Sequence, residues 1–318
     1  MEVHFSPDGI HLPELGLWLD PRRPVPAAWL SHAHSDHASG VHSLVLATPT
    51  TLQLYADRWP DPAGARTELA LHPLETIEFR GAELTAYPAA HILGAAQLLI
   101  ARNGERLLYT GDIKRKLPLC GWPTIVPPCD RLIIESTFGL PVFRFLDPEP
   151  ARLRIAAFAR ECLDAGEIPA FTGYPLGRGQ EIAHALTQAG IPISVHGAIA
   201  RYIPFYEQAG YGFSGWQPYQ AQKISDRALV VTQDLRPRLE AAQKNVRFAL
   251  VSGWAMFDSA RAASGAEELI PYSDHAGFEE LLGLVAESQA RQVDVVHGYA
   301  EQFAAILRAR GIQATARA

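Results

Sequence analysis

The sequence predicts an α/β fold in two parts, and three features of the 318-residue chain support this prediction. Residues 1–148 favour short strands separated by glycine and proline signals. Residues 151–255 alternate helix and strand patterns, which is typical of βαβ units in a small parallel sheet. Residues 270–318 return to the character of the first part. A chain of this length can bury two compact cores, so the middle segment is expected to form a second domain.

The first part is expected to open with the strands of a sheet in residues 1–20. The apolar run 25–30 predicts a buried strand, whereas 38–46 and 50–57 predict a short helix and its connection. Stretches bounded by glycine or proline predict further strands at 67–71, 75–79, 83–87, 106–109 and 131–135.

The character of the chain changes near Asp147-Pro-Glu-Pro150. Beyond this point the pattern predicts helices over 151–165, 180–188 and 198–209, and strands over 168–173, 191–195, 228–232 and 248–252. The closing part is expected to contain an amphipathic helix, a strand and a last helix over 278–289, 292–296 and 300–310.

Composition and charge narrow the class of protein. Hydrophobic residues make up 48% and charged residues 19% of the chain, as in ordinary globular proteins, and no apolar run of about 18 residues predicts a membrane span. The N-terminus lacks the features of a secretory signal, and the three cysteines form no Cys-x-x-Cys pair, so a cytoplasmic location is expected. The net charge of −6 argues against a surface coated in positive charge but is compatible with a local basic groove.

The segment Ser31–His37, with the sequence S-H-A-H-S-D-H, is the clearest sign of function. Imidazole nitrogens and carboxylate oxygens bind Zn²⁺ at about 2.0–2.2 Å, so a tight loop can direct His32 and His34 to one ion and Asp36 and His37 to a second. Ordinary folding does not require three neighbouring imidazoles, which repel one another when protonated. We therefore predict a metal site in this loop.

Other residues that could carry chemistry follow predicted strands. Asp20 ends an apolar stretch, where it would either support a metal-bound imidazole or begin a turn. Asp112 comes directly after a strand and a glycine and is well placed to bridge two ions, and Glu135 stands at the end of another strand. His91 lies in a loop of small residues, and a single histidine of this kind is more often structural.

The run Lys114, Arg115 and Lys116 comes soon after Asp112. Three cations beside a metal centre would suit a phosphodiester backbone. A solvated charged loop explains the same run as well, so the pattern alone leaves both interpretations open.

Together these motifs resemble the metallo-β-lactamase superfamily and, within it, the β-CASP nucleases. The superfamily pattern is His-x-His-x-Asp-His at 32–37, and the later marks of the branch are I-E-S-T-F-G (134–139), Y-S-D-H (272–275) and V-V-H-G (295–298). Three segments are most similar to the bacterial ligase-associated DNA exonucleases: E-S-T-F-G-L-P-V-F-R-F (135–145), G-D-I-K-R-K (111–116) and S-D-H-A-G (273–277). Y-P-L-G-R-G-Q-E (174–181) and F-A-L-V-S-G-W (248–254) are similar to segments of the family's cap.

The resemblance implies a fold and a set of roles for named residues. The implied fold is a metallo-β-lactamase αββα sandwich, residues 1–148 and 264–318, with an inserted β-CASP cap domain, residues 149–263, built on a small parallel α/β sheet. Two zinc ions are implied, and Mn²⁺ fits the same ligands. One ion would be held by His32, His34 and His91, the other by Asp36, His37 and His297, with Asp112 bridging them.

The resemblance also implies catalytic and supporting residues. His275 would be the general acid near the scissile phosphate, and Asp36 and Glu135 complete the implied catalytic set, while Asp20 would support the metal ligands. The candidates for phosphate contacts are Lys114, Arg115 and Arg178. Arg178 stands just before a predicted helix N-terminus, which is a favourable site for an anion.

The function implied by the resemblance is a metal-dependent DNA exonuclease in DNA repair or end processing. A DNA ligase and a helicase would be the expected partners in the same pathway. The alternative is a β-CASP ribonuclease acting in RNA 3′-end processing, because the RNA-acting members of the branch share the histidine at position 297. A small-molecule hydrolase is disfavoured by the cap, and a non-catalytic binding module is disfavoured by the complete set of ligands.

Overall fold

The structure is a computed structural model and describes residues 1–221, 226–242 and 245–317. The chain separates into two compact units. The first unit comprises Met1–Lys116, Gly121–Val142 and His275–Ala318, and the second comprises Leu117–Cys120 and Phe143–Asp274. The domain limits suggested by the sequence, at 148/149 and 263/264, stay a prediction.

The first unit contains two sheets, and the first of them leads into the histidine-rich loop. Its strands, in spatial order, are His4–Ser6, Gly9–Leu12, Leu17–Leu19, Ala27–Trp29, Leu44–Ala47 and Thr67–Ala70. The first three strands pair antiparallel and the rest pair parallel, with the short 3₁₀ turn Pro13–Leu15 between the second and third. Ala27–Trp29 is fully buried, and only two residues separate its end from His32. The loop therefore begins at the carboxyl end of a central strand.

Residues Leu44–Ala47 form a strand, and the expectation of a short helix across 38–46 is wrong there. This strand has parallel partners on both sides, Ala27–Trp29 and Thr67–Ala70. A strand buried in a parallel sheet is apolar on both faces, so its sequence does not alternate and is easily mistaken for a buried helix. The helix of this region is Pro49–Arg58. Thr48 caps its N-terminus, because the Thr48 side-chain oxygen accepts a hydrogen bond from the Thr51 backbone N–H.

The second sheet of the first unit brings several polar strand ends to one edge. Its strands, in spatial order, are Gln313–Ala316, Gln292–Val296, Arg131–Glu135, Glu105–Tyr109, Ala96–Arg102, Ala82–Pro88 and Thr76–Phe79. Three central strands run parallel, with Tyr109 opposite Ile133 and Glu135 opposite Val296. Because the carboxyl ends of parallel strands meet at one edge, Asp112, Glu135 and His297 emerge close together.

The apolar core of the first unit lies between its two sheets. Leu12 and Trp29 from the first sheet meet Leu98, Leu107 and Ile133 from the second, all of them fully buried. Burial of each such side chain contributes about 1.5–3 kcal/mol. This core holds the two strand edges that carry the polar residues in fixed register.

Helices cover the outer faces of the first unit. Helix Pro49–Arg58 packs Leu52 and Tyr55 against Ala28 and Val45 of the first sheet. Helices Phe278–Ser288 and Ala300–Ala309 belong to the second sheet's side, where Phe303 packs edge-on to Phe278. This is the αββα sandwich that the resemblance implies.

The second unit is built on a parallel sheet, as the alternating pattern predicts. Its strands, in spatial order, are Trp216–Pro218, Ile193–Val195, Ala228–Val231, Ile168–Thr172, Val246–Val251 and Glu268–Ile270, and each neighbouring pair is parallel. Its helices are Pro148–Asp164, Arg178–Gln188, Gly197–Ala200, Ile203–Gln208, Arg236–Ala242 and Asp258–Ser264, with 3₁₀ turns at Gln233–Leu235 and Gly253–Met256. The single helix expected over 198–209 is two helices, because Pro204 lies in the first turn of the second and favours a new helix start there.

Candidate metal centre

Four ligand atoms converge in the first unit at a spacing that fits one metal ion. His34 Nδ1 lies 3.1 Å from His32 Nε2 and 3.1 Å from His91 Nε2. Asp112 Oδ2 lies 3.6 Å from each of the same two Nε2 atoms. Tetrahedral ligands placed about 2.0–2.1 Å from Zn²⁺ are roughly 3.3–3.4 Å apart, so these four atoms match the geometry of a zinc site.

The electrostatics of this group also favour a cation. His32 is fully buried, and burial followed by the nearby His37, His91 and His34 imidazoles holds its pKa well below the usual range. His32 is therefore neutral at neutral pH, and a neutral imidazole is the form that binds a metal. Three imidazole nitrogens that point at one another inside a protein are best satisfied by a shared positive ion.

A second set of residues lies beside the first and shares Asp112 with it. His37 Nε2 is 3.4 Å from Asp112 Oδ2 and 3.8 Å from Asp36 Oδ2. The Asp36 side chain is 73% exposed, and the His297 ring centre is 5.7 Å from that of His37. Among the described residues, the candidate ligand groups whose atoms lie within 4.8 Å of one another include neither Asp36 nor His297. The first set is therefore closely assembled, whereas the second is more open.

The carboxylates of the second set outnumber its cations. Burial by itself would lower the pKa of His37, but Asp112 and Asp20 outweigh it and raise this pKa to about 10. Burial in turn raises the pKa of Asp112 to about 6, although His37 and His275 oppose it. The raised pKa of His37 reports an excess of negative charge around that imidazole, which a bound cation would neutralise, whereas the raised pKa of Asp112 reports its burial.

Asp20 lies behind the ligands and orients two of them. Its Oδ2 accepts hydrogen bonds from His37 Nδ1 (2.7 Å), Tyr109 Oη (2.8 Å) and Ser31 Oγ (2.5 Å), and its Oδ1 accepts one from the Ser31 backbone N–H (2.7 Å). Ser31 Oγ also contacts His32 Nδ1 at 2.9 Å. These contacts place the ring N–H groups of His32 and His37 on the protein side, so that Nε2 of each faces the centre.

Tyr109 and Ser31 are the supporting residues that sequence reasoning did not identify. Tyr109 is the last residue of its strand, and Ser31 is the first of the histidine-rich segment. Burial and Asp20 hold the pKa of Tyr109 well above its usual range, so its hydroxyl remains a hydrogen-bond donor. The only signal was position, since Tyr109 is the last residue of one strand and Ser31 comes shortly after the end of another.

We expect Tyr109→Phe to weaken metal binding about 10–100-fold, the effect typical of removing a hydrogen bond behind a metal-bound histidine. The substitution deletes one of the four hydrogen bonds to Asp20 without changing the packed ring. Competition with a chromophoric chelator measures the affinity. Tyr55→Phe, which removes a hydroxyl that bonds to the Gly40 carbonyl in the same unit, should leave the affinity within about twofold. Equal effects of the two substitutions would contradict the positioning role of Tyr109.

Gly111 has a conformation and surroundings that exclude a side chain. Its φ is +56°, and a Cβ there would lie 2.4 Å from Ser31 Cβ and 2.5 Å from Ser31 Oγ. We expect Gly111→Ala to lower the free energy of unfolding by about 3 kcal/mol or more, because left-handed backbone strain adds to a clash with the serine that holds Asp20.

Gly104→Ala is the matched control in chemical denaturation. Gly104 also has a positive φ, +80°, but nothing lies within 4 Å of its Cβ position. We expect Gly104→Ala to lower the free energy of unfolding only through backbone strain, by about 1–2 kcal/mol. Equal losses for the two variants would show that contact with Ser31 has no energetic consequence.

His275 is held at the rim of the centre by a buried carboxylate. Its Nδ1 lies 2.8 Å from Glu135 Oε1, and its Nε2 lies 3.9 Å from Asp112 Oδ2. Glu135 also accepts backbone N–H bonds from Ile113 (2.9 Å) and Thr137 (3.1 Å). Burial would raise the pKa of Glu135, but His275 and these donors outweigh it and lower the pKa to about 2. Glu135 is therefore ionised and favours a protonated His275, whose side chain is 19% exposed.

The three candidates for phosphate contacts lie in different environments. Lys114 is buried, and Arg115 forms an ion pair with Glu287. Arg178 belongs to the second unit, where it is the first residue of its helix rather than the residue before it. Its guanidinium is buried against the Tyr272 ring and lies 2.9 Å from Asp274 Oδ1. In this structure Arg178 forms an ion pair with a carboxylate of its own unit.

The comparison with protein families identifies the fold. Residues 5–119, which include the histidine-rich loop, His91 and Asp112, match the metallo-β-lactamase superfamily. This segment of the chain is a metallo-β-lactamase domain. The prediction from the sequence motifs is confirmed.

Two curated relatives align with different shares of this chain. A protein named Probable DNA ligase, from Opitutus terrae, is 34% identical over 322 residues, which cover 99% of this chain and 31% of that protein. An RNase J-like protein from Methanocaldococcus jannaschii is 29% identical over 206 residues, 57% of this chain and 47% of that protein. The chain thus spans less than half the length of both relatives. These relatives are consistent with the β-CASP nuclease branch that the sequence resembles.

A solved structure supports the fold alone. A protein of unknown function from Enterococcus faecalis V583 superposes with a TM-score of 0.60 at 14% identity, over 87% of this chain and 76% of that one. Within the described part of the chain, no helix has both the length and the apolar character needed to cross a membrane.

Proposed function

We propose that this protein is a metal-dependent nuclease that hydrolyses phosphodiester bonds, with DNA as its substrate and exonucleolytic cleavage in DNA repair or end processing as its role. The observation that carries the proposal is the pairing of His275 with Glu135 at the rim of the centre, 3.9 Å from Asp112. A hydrolase site of metal ligands alone would not need a protonated imidazole there. Cleavage of a phosphodiester does, because the departing sugar oxygen must gain a proton.

The ligands fit two divalent cations, with zinc as the first candidate and Mn²⁺ as an alternative. His32, His34 and His91 would hold one ion, Asp36, His37 and His297 the other, and Asp112 would contact both. When bound, such a pair activates the attacking water and neutralises charge on the phosphate. The nitrogen and oxygen donors of this centre are typical zinc ligands and also accept manganese.

The role of His275 follows from its two ring nitrogens. Nδ1–H donates to the ionised Glu135, which stabilises the imidazolium, and Nε2–H is left to face the substrate. In this position it would transfer its proton to the leaving sugar oxygen as the bond to phosphorus breaks. Glu135 orients the ring and remains ionised throughout.

One relative, through the share of this chain that it covers, supports DNA as the substrate. The protein named Probable DNA ligase aligns with 99% of this chain, whereas the RNase J-like protein aligns with 57%. We therefore propose a DNA ligase and a helicase as partners in the same cytoplasmic pathway. The alternative, an RNA-processing enzyme, draws its support from the RNase J-like relative.

The test is a panel of end-labelled DNA and RNA strands of one sequence, single- and double-stranded, incubated with the purified chain. We expect DNA to be degraded to mononucleotides, activity to disappear on chelation, and Zn²⁺ or Mn²⁺ to restore it. Cleavage of RNA alone would establish the ribonuclease. Failure to cleave either strand with either cation, in protein shown to contain bound metal, would overturn the proposal.

A further inference from the structure

The first unit contains a cavity of about 280 Å³ beside the more open ligand set. Asp36, His37 and His297 form one side of it, and Asp20 and Tyr109 lie behind them. This volume is far larger than the roughly 30 Å³ that one water occupies in the liquid, so it exceeds the needs of a metal ion and its waters. The cavity therefore has room for part of a substrate.

The rest of the lining is apolar and cationic. Phe5, Ile10 and Val296 contribute apolar surface, and Arg22 and Arg317 contribute positive charge. Arg317 is already paired, since its Nε lies 2.7 Å from Asp294 Oδ1 and its guanidinium lies over the Phe5 ring at 4.9 Å. The other cation, Arg22, differs from Arg317 in its contacts.

The guanidinium of Arg22 forms no hydrogen bond or ion pair with residues 1–221, 226–242 or 245–317, although its backbone N–H donates to the Asp8 carbonyl. Its neighbour Arg23 differs, because its Nε lies 2.7 Å from Asp8 Oδ2. Arg22 and His297 both line the cavity. An uncommitted arginine thus lies at a cavity that adjoins the metal centre.

We propose that this cavity binds the terminal nucleotide of the substrate strand, with its phosphate on Arg22. The proposal rests on the proposed nuclease function. A planar guanidinium matches two phosphate oxygens, and such charge-assisted bonds are among the stronger polar contacts in proteins. The apolar side chains Phe5, Ile10 and Val296 suit the sugar and base, which carry no charge.

The two carboxylates of the cavity do not oppose this assignment. Asp20 already accepts four hydrogen bonds, from Ser31, His37 and Tyr109. Asp36 Oδ2 lies 3.8 Å from His37 Nε2, so this carboxylate already has a partner among the residues of the cavity. Arg22 is therefore the charge of this cavity that remains for an incoming anion. A pocket for one nucleotide beside the centre would also suit the stepwise release of mononucleotides that the proposed exonuclease requires.

The test measures binding without catalysis. Metal-loaded wild type, Arg22→Gln and Arg23→Gln are titrated calorimetrically with dAMP, with deoxyadenosine and with inorganic phosphate. We expect the Kd for dAMP to rise about tenfold or more in Arg22→Gln, as for loss of a hydrogen bond to a charged group, and to stay within about twofold in Arg23→Gln. Arg22→Lys should recover part of the affinity. Deoxyadenosine and inorganic phosphate should each bind more weakly than dAMP.

Two results would overturn the assignment. One is equal affinity of wild type and Arg22→Gln for dAMP, and the other is binding of inorganic phosphate as tight as that of dAMP, which would leave no role for the nucleoside. The outcome is separable from the fate of the proposed function. If dAMP binding depends on Arg22 but the chain cleaves no nucleic acid, the nuclease function is overturned and the nucleotide site stands. If the chain cleaves DNA normally but binds dAMP without Arg22, the nucleotide site is overturned and the nuclease function stands.

Discussion

Replacement of His275 by alanine is expected to slow DNA cleavage about 10²–10⁴-fold, the contribution typical of one positioned general acid. The imidazole is held by Glu135 through Nδ1, and its Nε2 faces Asp112 across 3.9 Å. Its loss removes the proton that the leaving sugar oxygen requires. The ring lies outside the tightest ligand group, so metal content should not change.

The choice of leaving group separates acid catalysis from a structural effect. Cleavage of bis(p-nitrophenyl) phosphate needs little protonation of its leaving group, so His275→Ala should affect it far less than DNA cleavage. His4→Ala is the matched control, because His4 is an exposed histidine paired with Glu2 at the surface of the same unit. An equal loss on both substrates, or a loss of bound metal measured by elemental analysis, would contradict the role of His275 as an acid.

Asp112→Asn should reduce the bound metal from two ions to at most one for each chain, and DNA cleavage at least about 100-fold. Asp112 Oδ2 lies 3.6 Å from His32 Nε2 and 3.4 Å from His37 Nε2, so one oxygen serves both ligand sets. Asparagine keeps the shape but removes the negative charge that would balance the two cations of the proposed centre. Loss of an outer hydrogen bond alone costs about 10–100-fold, and loss of a direct ligand is expected to cost more.

Metal content by mass spectrometry under native conditions and the cleavage rate are measured on the same preparation. Asp61→Asn is the control, since Asp61 accepts a backbone N–H from Arg66 in an exposed loop of the same unit. Retention of two ions and of full activity in Asp112→Asn would remove the bridging carboxylate from the mechanism.

The αββα sandwich was implied by the resemblance of the motifs to the metallo-β-lactamase superfamily, whereas the parallel sheet of the second unit was predicted from local periodicity. It failed where a local pattern is ambiguous. Leu44–Ala47 was expected to be helical, but its apolar side chains serve both faces of a parallel strand, which only its neighbours Ala27–Trp29 and Thr67–Ala70 determine. The break between Gly197–Ala200 and Ile203–Gln208 was missed for the same reason, although Pro204 marked it.

Supporting contacts are harder to predict because they join residues far apart in the chain. The bond between Tyr109 and Asp20 spans 89 positions, and that between Glu135 and His275 spans 140. Arg178 illustrates the converse. Its position before a helix suggested an anion site, but its guanidinium forms an ion pair with Asp274, which lies far along the chain. No periodicity or spacing carries such information.

The sequence by itself determined the prediction of a metal-binding loop, since His32, His34, Asp36 and His37 lie within six residues and ordinary folding does not call for them. Tertiary structure alone decided how His91 and Asp112 close the first ligand set, because their places depend on the register of strands that pair across the sandwich. It also decided which arginine side chain near the centre forms no hydrogen bond or ion pair with the residues that the structure describes. Ion pairs depend on distances in space, and Arg22 and Arg23 are adjacent in sequence but differ in their partners.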